Sequence, residues 1–246
     1  MKILIPSYKR CGDVRPLEFA SDIADEVIIS TQTEAEYRMY EEAYSEVATV
    51  VLRDAHNASG NRNTLLMELR DGERAVMVDD DVKSILVCTG EKGNQARPVT
   101  RADLDEYFDA MEAAGAAVGG CYPIANPYFA YSRPRMTKND MLVGDVMLFI
   151  GGCAMFNESY DACEDYELVL RTIARGGDVM RFNRLIAPTT SSGMKAALSG
   201  QTKGGLAEAY ANGAHRDAIM RLAREYAPIA KLGRDRTSIR IDKRYV

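Results

Sequence analysis

Four short segments of this 246-residue chain carry side chains able to do chemistry. Asp79, Asp80 and Asp81 follow the apolar run RAVMV directly. Adjacent carboxylates repel one another, and the strain is relieved either by solvation as an acidic turn or by a cation. An oxygen-rich cluster suits Mg²⁺ or Mn²⁺, which take one or two carboxylates and complete their shell with phosphates and water. Glu164 and Asp165 open a helical pattern. Acids there are favoured by the helix dipole, and a carboxylate so held can also accept a proton from an acceptor hydroxyl as general base. In Gly60-Asn61-Arg62-Asn63 a tight turn opens the helix NRNTLLMELR, which puts Arg62 and backbone N–H groups where a phosphate can bind, or leaves Arg62 in a surface salt bridge. In IPSYKR (5–10), Tyr8 can stack on a base or simply pack, while Arg10 can reach phosphate.

These segments are positioned by a regular alternation. The β-rich runs KILIP (2–6), EVIIS (26–30), VATVVL (47–52), RAVMVD (74–79) and AAVGGCY (116–122) are separated by amphipathic stretches over 14–24, 33–45, 60–70 and 101–114. The pattern predicts an α/β domain on a mostly parallel sheet, with the ligand crevice beyond the carboxyl ends of the strands. Ser7 to Arg10, Thr31 with Gln32, and Asp79 to Asp81 all stand at such ends. Residues 89–100 and 123–144, rich in Gly, Pro, Asn and Arg, read as surface loops over that crevice. VMLFIGGCAMF (146–156) reads as a strand in which Gly151 and Gly152 mark a bend or a close backbone approach to a ligand. Apolar positions from Glu164 to Arg175 form one helical face, ended by Gly176 and Gly177. Residues 188–205 read as a mobile loop, 206–226 as a helix, and the tail TSIRIDKRYV as a short edge strand.

The composition, 46% hydrophobic and 27% charged, excludes a disordered, collagenous or membrane-spanning chain. The start MKILIPSYKR is too short in apolar residues for a signal peptide, so the expected location is cytoplasmic. Five scattered cysteines without a CxxC pair read as reduced thiols. Two histidines exclude a histidine-rich metal site. The net charge of −5 conceals an uneven split: residues 1–180 carry 18 basic and 31 acidic side chains, residues 181–246 carry 13 and 5. An acidic chemical part is thus followed by a basic face able to meet a polyanion.

IPSYKR (5–10), GNRN (60–63), VDDD (78–81) and CEDYELVLRTIARGG (163–177), in this order, resemble the GT-A glycosyltransferases. The likeness covers about residues 1–185 and implies a GT-A, Rossmann-like catalytic domain there, with residues 186–246 as a basic helical and loop extension packed on it. It implies a divalent metal, Mn²⁺ or Mg²⁺, on the diphosphate of a UDP-sugar. Asp81 and Asp79 would be the metal ligands, Asp79 or Asp80 would contact ribose and sugar, and the uridine would lie near Ser7, Tyr8, Arg10 and Thr31. Adding EAEYRMYEEAY, YPIANPYF (122–129) and FIGG (149–152), the chain is similar to the TET-associated glycosyltransferases, a group that includes phage enzymes acting on 5-hydroxymethylpyrimidines in DNA.

What this resemblance implies is transfer of a sugar, glucose as first choice, from a UDP-sugar to 5-hydroxymethylcytosine in double-stranded phage DNA. Asp165 would be the base, with Glu164 second. Alternatives are 5-hydroxymethyluracil, a protein, a polysaccharide or a small-molecule acceptor. The basic tail, Lys231, Arg234, Arg236, Arg240, Lys243 and Arg244, is expected to grip the DNA backbone with loops 123–144 and 190–205 around a flipped-out nucleotide. No membrane partner is expected.

Overall fold

The computed structural model describes residues 1–53, 55–90, 95–189, 213–234 and 237–246. Its centre is an eight-stranded sheet in the order β3-β2-β1-β4-β9-β7-β10-β8. The strands are β1 (Lys2–Pro6), β2 (Glu26–Thr31), β3 (Thr49–Leu52), β4 (Arg74–Val78), β7 (Val118–Cys121), β8 (Met136–Lys138), β9 (Val146–Ile150) and β10 (Val179–Phe182). β1 pairs in parallel with β2 and β4, β2 with β3, and β7 with β10. β9 runs antiparallel between β4 and β7, and β8 antiparallel beside β10. The expected mostly parallel α/β sheet is therefore present, interrupted by one reversed strand in its middle. β5 (Leu86–Cys88), β6 (Ala96–Pro98) and β11 (Leu185–Ile186) form a second sheet of three strands.

Side chains alternate across a strand, so a sheet covered on both faces sorts its residues by parity. Ile3, Ile5, Ile29, Val76 and Val78 pack on one face with Tyr40 of α2 (Glu34–Tyr44) and with Leu104, Phe108 and Met111 of α4 (Arg101–Ala114). Leu4, Ile28, Ala75, Met77 and Phe149 pack on the other with Leu65 of α3 (Ala58–Leu66) and Leu168, Val169 and Ile173 of α6 (Glu164–Ala174). Among the described residues the remaining α-helices in chain order are α1 (Ala20–Ile23), α5 (Pro127–Tyr131) and α7 (Ala214–Glu225). α4 starts at a capping box in which Thr100 and Asp103 satisfy each other's backbone N–H.

Helix α7 and the last two strands pack against α6. Leu170 there joins Ile219 and Leu222 of α7 with Ala230 and Ile239 of the antiparallel pair β12 (Ala230–Leu232) and β13 (Ile239–Ile241). Beneath this contact Glu167 is fully buried; it accepts from Tyr226 Oη at 2.6 Å and from Arg171 Nε at 2.9 Å. Burying a carboxylate is tolerable only with such partners.

Several boundaries differ from the sequence reading. The 146–156 strand ends at Ile150, where its ladder with Arg74 of β4 ends. The third helix begins at Ala58, capped by Asn57 Oδ1, which accepts from Gly60 N at 3.0 Å. The two irregular stretches contain β6, α5 and β8. The 188–205 loop lies outside the described residues from residue 190, and the 206–226 helix lies outside them up to residue 212.

Candidate functional site

Because β4 and β9 are antiparallel, the end of one meets the start of the other. Asp79 N donates to Asp145 O at 3.0 Å, and Asp145 stands just before the apolar run VMLFI. Asp79, Asp80, Asp81 and Asp145 thereby gather at the carboxyl edge of the sheet. Burial is the main cause pushing Asp80 and Asp145 up to about 6, and the neighbouring Asp81 charge adds to both. Asp79 is raised well above the ordinary range by burial, against the pull of Arg62 and with the push of Asp145, Asp81 and Asp80.

Asp80 and Asp79 have specific partners from distant segments. Ser7, only 1% exposed, donates through Oγ to Asp80 Oδ2 at 2.7 Å. With that proton committed, the 2.9 Å contact between Ser7 Oγ and Tyr40 Oη has Tyr40 as donor, and Tyr40 Oη in turn accepts from Arg10 N at 2.9 Å. Arg10 closes the circuit with Nε 3.2 Å from Asp80 Oδ1. Lys9 holds the left-handed conformation at φ 56° that lets this loop turn back, and its N–H donates to Glu36 Oε1 at 2.6 Å. Tyr8 lies at the surface, 36% exposed, with Lys9 Nζ 4.6 Å from its ring centre. Thr31 is buried at the end of β2 and donates to Val51 O at 3.5 Å.

Arg62 ties the acidic edge to α6. It is buried, its Nη2 lies 2.7 Å from Asp79 Oδ1, and its Nε lies 3.4 Å from Glu164 Oε1. Its Nη1 donates to Gly144 O at 3.3 Å, while Gly144 N donates to Asp165 Oδ2 at 2.9 Å. A Cβ at Gly144 would stand 2.9 Å from Arg62 Nη2, so glycine there permits the approach. Asp165 also accepts from Tyr166 N at 2.7 Å, yet burial, reinforced by the Glu164 charge, drives its proton affinity up. The turn expected to open a helix at Gly60 is thus already helical. Arg62 sits in the helix body, its guanidinium committed to carboxylates rather than held out from a helix N-terminus.

Asp145, Gly144 and Tyr40 are site residues that the sequence reading did not single out. A lone acid or glycine in a loop has no spacing signature, and only the reversal of β9 brings the first two to Asp79. Gly151 and Gly152 fall elsewhere. β9 runs away from Asp79, so they stand at the opposite edge of the sheet, where Gly151 N donates to Glu73 O at 2.8 Å. A Cβ on Gly151 would lie 1.8 Å from Arg70 O. The close approach read from these glycines is to the chain's own backbone, and they are removed from the acidic edge at Asp79.

The tail is paired internally in part. Lys231 and Arg244 reach Asp242 at 2.5 and 2.8 Å, and Lys243 reaches Asp140 at 2.8 Å. Arg234 and Arg240 are exposed, with no ion pair among the described residues, and Arg236 lies outside them.

The acidic edge offers only hard oxygen donors that repel one another, which fits Mg²⁺ or Mn²⁺ in the form where one or two carboxylates share the ion with substrate phosphates. Among the described residues no group of three or more His, Cys, Asp or Glu side chains converges to hold an ion unaided. No described helix is long and apolar enough to cross a membrane.

No protein-family model and no curated protein matches the chain. Among solved structures it is similar to S. aureus TarS 1-349 in complex with UDP, at 11% identity and a TM-score of 0.49, over 92% of this chain and 71% of that one. The UDP is that protein's ligand.

Proposed function

We propose that this chain is a metal-dependent glycosyltransferase that moves a hexosyl group, glucose in the first instance, from a UDP-sugar to the hydroxymethyl group of 5-hydroxymethylcytosine in DNA. One observation carries the reading: the four segments singled out in the sequence are joined at one edge of the sheet by direct contacts, Ser7 and Arg10 to Asp80, and Arg62 to both Asp79 and Glu164. Carboxylates able to share a cation and a carboxylate able to take a proton thus stand on either side of one guanidinium.

In this reading the uridine lies over Ser7, Tyr8 and Arg10, beyond β1 and β2. Asp80, held by Ser7 and Arg10, is oriented toward the ribose and sugar. Asp79 and Asp81 are the residues that would hold Mn²⁺ or Mg²⁺, and the ion when bound would supply Lewis-acid stabilisation of the departing UDP. Arg62 keeps the acidic edge folded and limits the charge that accumulates between Asp79 and Glu164. Asp165, pinned by Gly144 N and Tyr166 N, accepts the proton of the attacking hydroxyl. Direct attack with one base inverts the configuration at the anomeric carbon. The surplus of basic side chains after residue 180 favours a polyanionic acceptor, with Arg234 and Arg240 the tail side chains best placed to meet it and Lys231, Lys243 and Arg244 available only by exchanging carboxylate for phosphate.

The test is incubation with UDP-glucose, Mn²⁺ and DNA containing cytosine, 5-hydroxymethylcytosine or 5-hydroxymethyluracil, followed by digestion and mass measurement of the nucleosides. A hexose on 5-hydroxymethylcytosine that is lost in Asp81→Ala is the expected result. UDP release onto another acceptor, with no hexose on any DNA, overturns the acceptor; no UDP release at all overturns the reaction.

A further inference from the structure

The carboxyl edge of the sheet continues past Asp145 to β7, whose last residue, Cys121, leads into a segment that the contacts above do not use. There Ile124, Tyr128 and Phe129 are 47%, 62% and 47% exposed. Tyr128 and Phe129 lie edge to face with ring centres 5.4 Å apart, so they form one aromatic surface rather than two stray rings. The surface is fixed from below: Asn126 Oδ1 accepts from Tyr128 N at 3.0 Å, Ala130 is fully buried, and the Arg184 guanidinium lies 3.7 Å from the Tyr131 ring centre while donating to Ala130 O at 3.0 Å.

Charge sets the occupant. In a chain with 36 acidic residues there is none between Glu112 and Asp140, whereas Arg133, Arg135 and Lys138 fall in that interval. Arg135 and Lys138 are paired with Glu106 and Asp178. Arg133 is exposed and makes no ion pair among the described residues, and its charge is felt by the neighbouring Arg181. Exposed rings in a segment that carries an exposed guanidinium without an ion pair and no acidic residue of its own match the needs of a nucleic-acid strand whose bases are unstacked: phosphate meets the cation, and base faces meet the rings without regard to sequence. A stacked duplex offers no base face to such a surface.

The geometry points to the Ile124–Arg133 segment as a docking surface for a single DNA strand with unpaired bases, Tyr128 and Phe129 stacking on bases and Arg133 contacting phosphate. It deepens the acceptor reading above and rests on it for its purpose: a strand held here beside β7 delivers an unpaired nucleotide toward Asp165.

The experiment is fluorescence anisotropy with the whole protein, using a labelled 15-mer of thymidylate and an abasic strand of the same length and charge. Wild type is expected to bind the base-bearing strand more tightly. Tyr128→Ala with Phe129→Ala should abolish that preference, weakening thymidylate binding by about tenfold or more per ring and leaving abasic binding alone. Arg133→Ala should weaken both strands and lower the salt slope by about one. Equal affinity of wild type for the two strands, or a preference untouched by removing the rings, overturns the proposal. UDP binding measured alongside separates the two readings. Strand preference without UDP binding removes the glycosyltransferase and leaves the docking surface; UDP binding without strand preference does the reverse.

Discussion

Arg62 Nη2 lies 2.7 Å from Asp79 Oδ1, and through Nε the same guanidinium reaches Glu164 at 3.4 Å. One buried cation therefore neutralises acids from two segments far apart in the chain. Replacing it by a neutral side chain of similar length, Arg62→Met, leaves those part-buried carboxylates without their partner, a change worth at most about 3–5 kcal/mol of stability. The loss is pH-dependent in a defined direction. A carboxylate whose folded pKa is raised adds stability below its unfolded value and loses it as pH rises through the folded value. Urea unfolding should therefore show the full deficit of Arg62→Met at pH 8 and a smaller one at pH 5. An equal deficit at both would mean that Arg62 contributes packing rather than charge.

The same sign rule applies to Asp145 in the intact protein. Burial and the Asp81 charge push it up to about 6, above the usual 3.9 of an unfolded aspartate. Its ionised form is therefore destabilising at neutral pH. Without divalent ions, Asp145→Asn should raise stability at pH 8, by on the order of 1–3 kcal/mol, and leave it unchanged at pH 4, where the native carboxyl is already protonated. Denaturant midpoints at the two values check this. A loss at pH 8 would place a cationic partner on Asp145.

The positions of β1, β2 and β4 and the acids at their ends are legible because continuous apolar runs, buried along their length and alternating with helical patterns, imply a parallel sheet and its carboxyl edge. Helices α4 and α6 were legible to within a residue because their apolar faces and flanking turn residues agree. The central reversed strand was not legible as such. VMLFI is apolar at every position, so its pattern carries no direction, and without that direction the edge at which Gly151 and Gly152 stand does not follow from the sequence. Asp145 and Gly144 were missed for the same reason, since their role exists only once β9 runs antiparallel to β4. Arg62 was found by residue type, but its surroundings were not, because a helix start shifted by two residues moves a side chain from an exposed end to a buried face.

Two glycine substitutions separate the two edges. A methyl at Gly144 meets Arg62 Nη2 at 2.9 Å, the end of a side chain held by Asp79 and Glu164. Gly144→Ala should therefore fold, with an overpacking cost of about 1–3 kcal/mol, and lose most of its turnover as Arg62 and Asp165 shift. A methyl at Gly151 meets the Arg70 carbonyl at 1.8 Å, which is backbone and cannot swing aside. Gly151→Ala should lose more stability, yet its folded fraction should bind UDP and turn over as wild type does. Melting curves and rates per folded molecule distinguish them. Impaired UDP binding by folded Gly151→Ala would return that glycine to the donor site.

Asp165 is held for a single task if it is the base. Its two oxygens already accept backbone N–H groups, from Gly144 at 2.9 Å and Tyr166 at 2.7 Å, contacts that favour the charged form and fix its direction. Burial and Glu164 oppose them and prevail. The outcome is a carboxylate with more proton affinity than a surface aspartate, which is what proton removal from a hydroxyl near neutral pH requires. Because the ionised form is the active one, the rate with a hydroxymethylated acceptor should rise with pH, and the rise should lie above the ordinary carboxylate range. Asp165→Asn keeps the size of the side chain and removes the base. It should leave UDP affinity unchanged, lower turnover by about 10²- to 10⁴-fold, and lose the rising limb of the pH profile. If Asp165→Asn keeps both turnover and that limb while Glu164→Gln loses them, proton removal belongs to Glu164, and Asp165 serves to anchor the loop at Gly144.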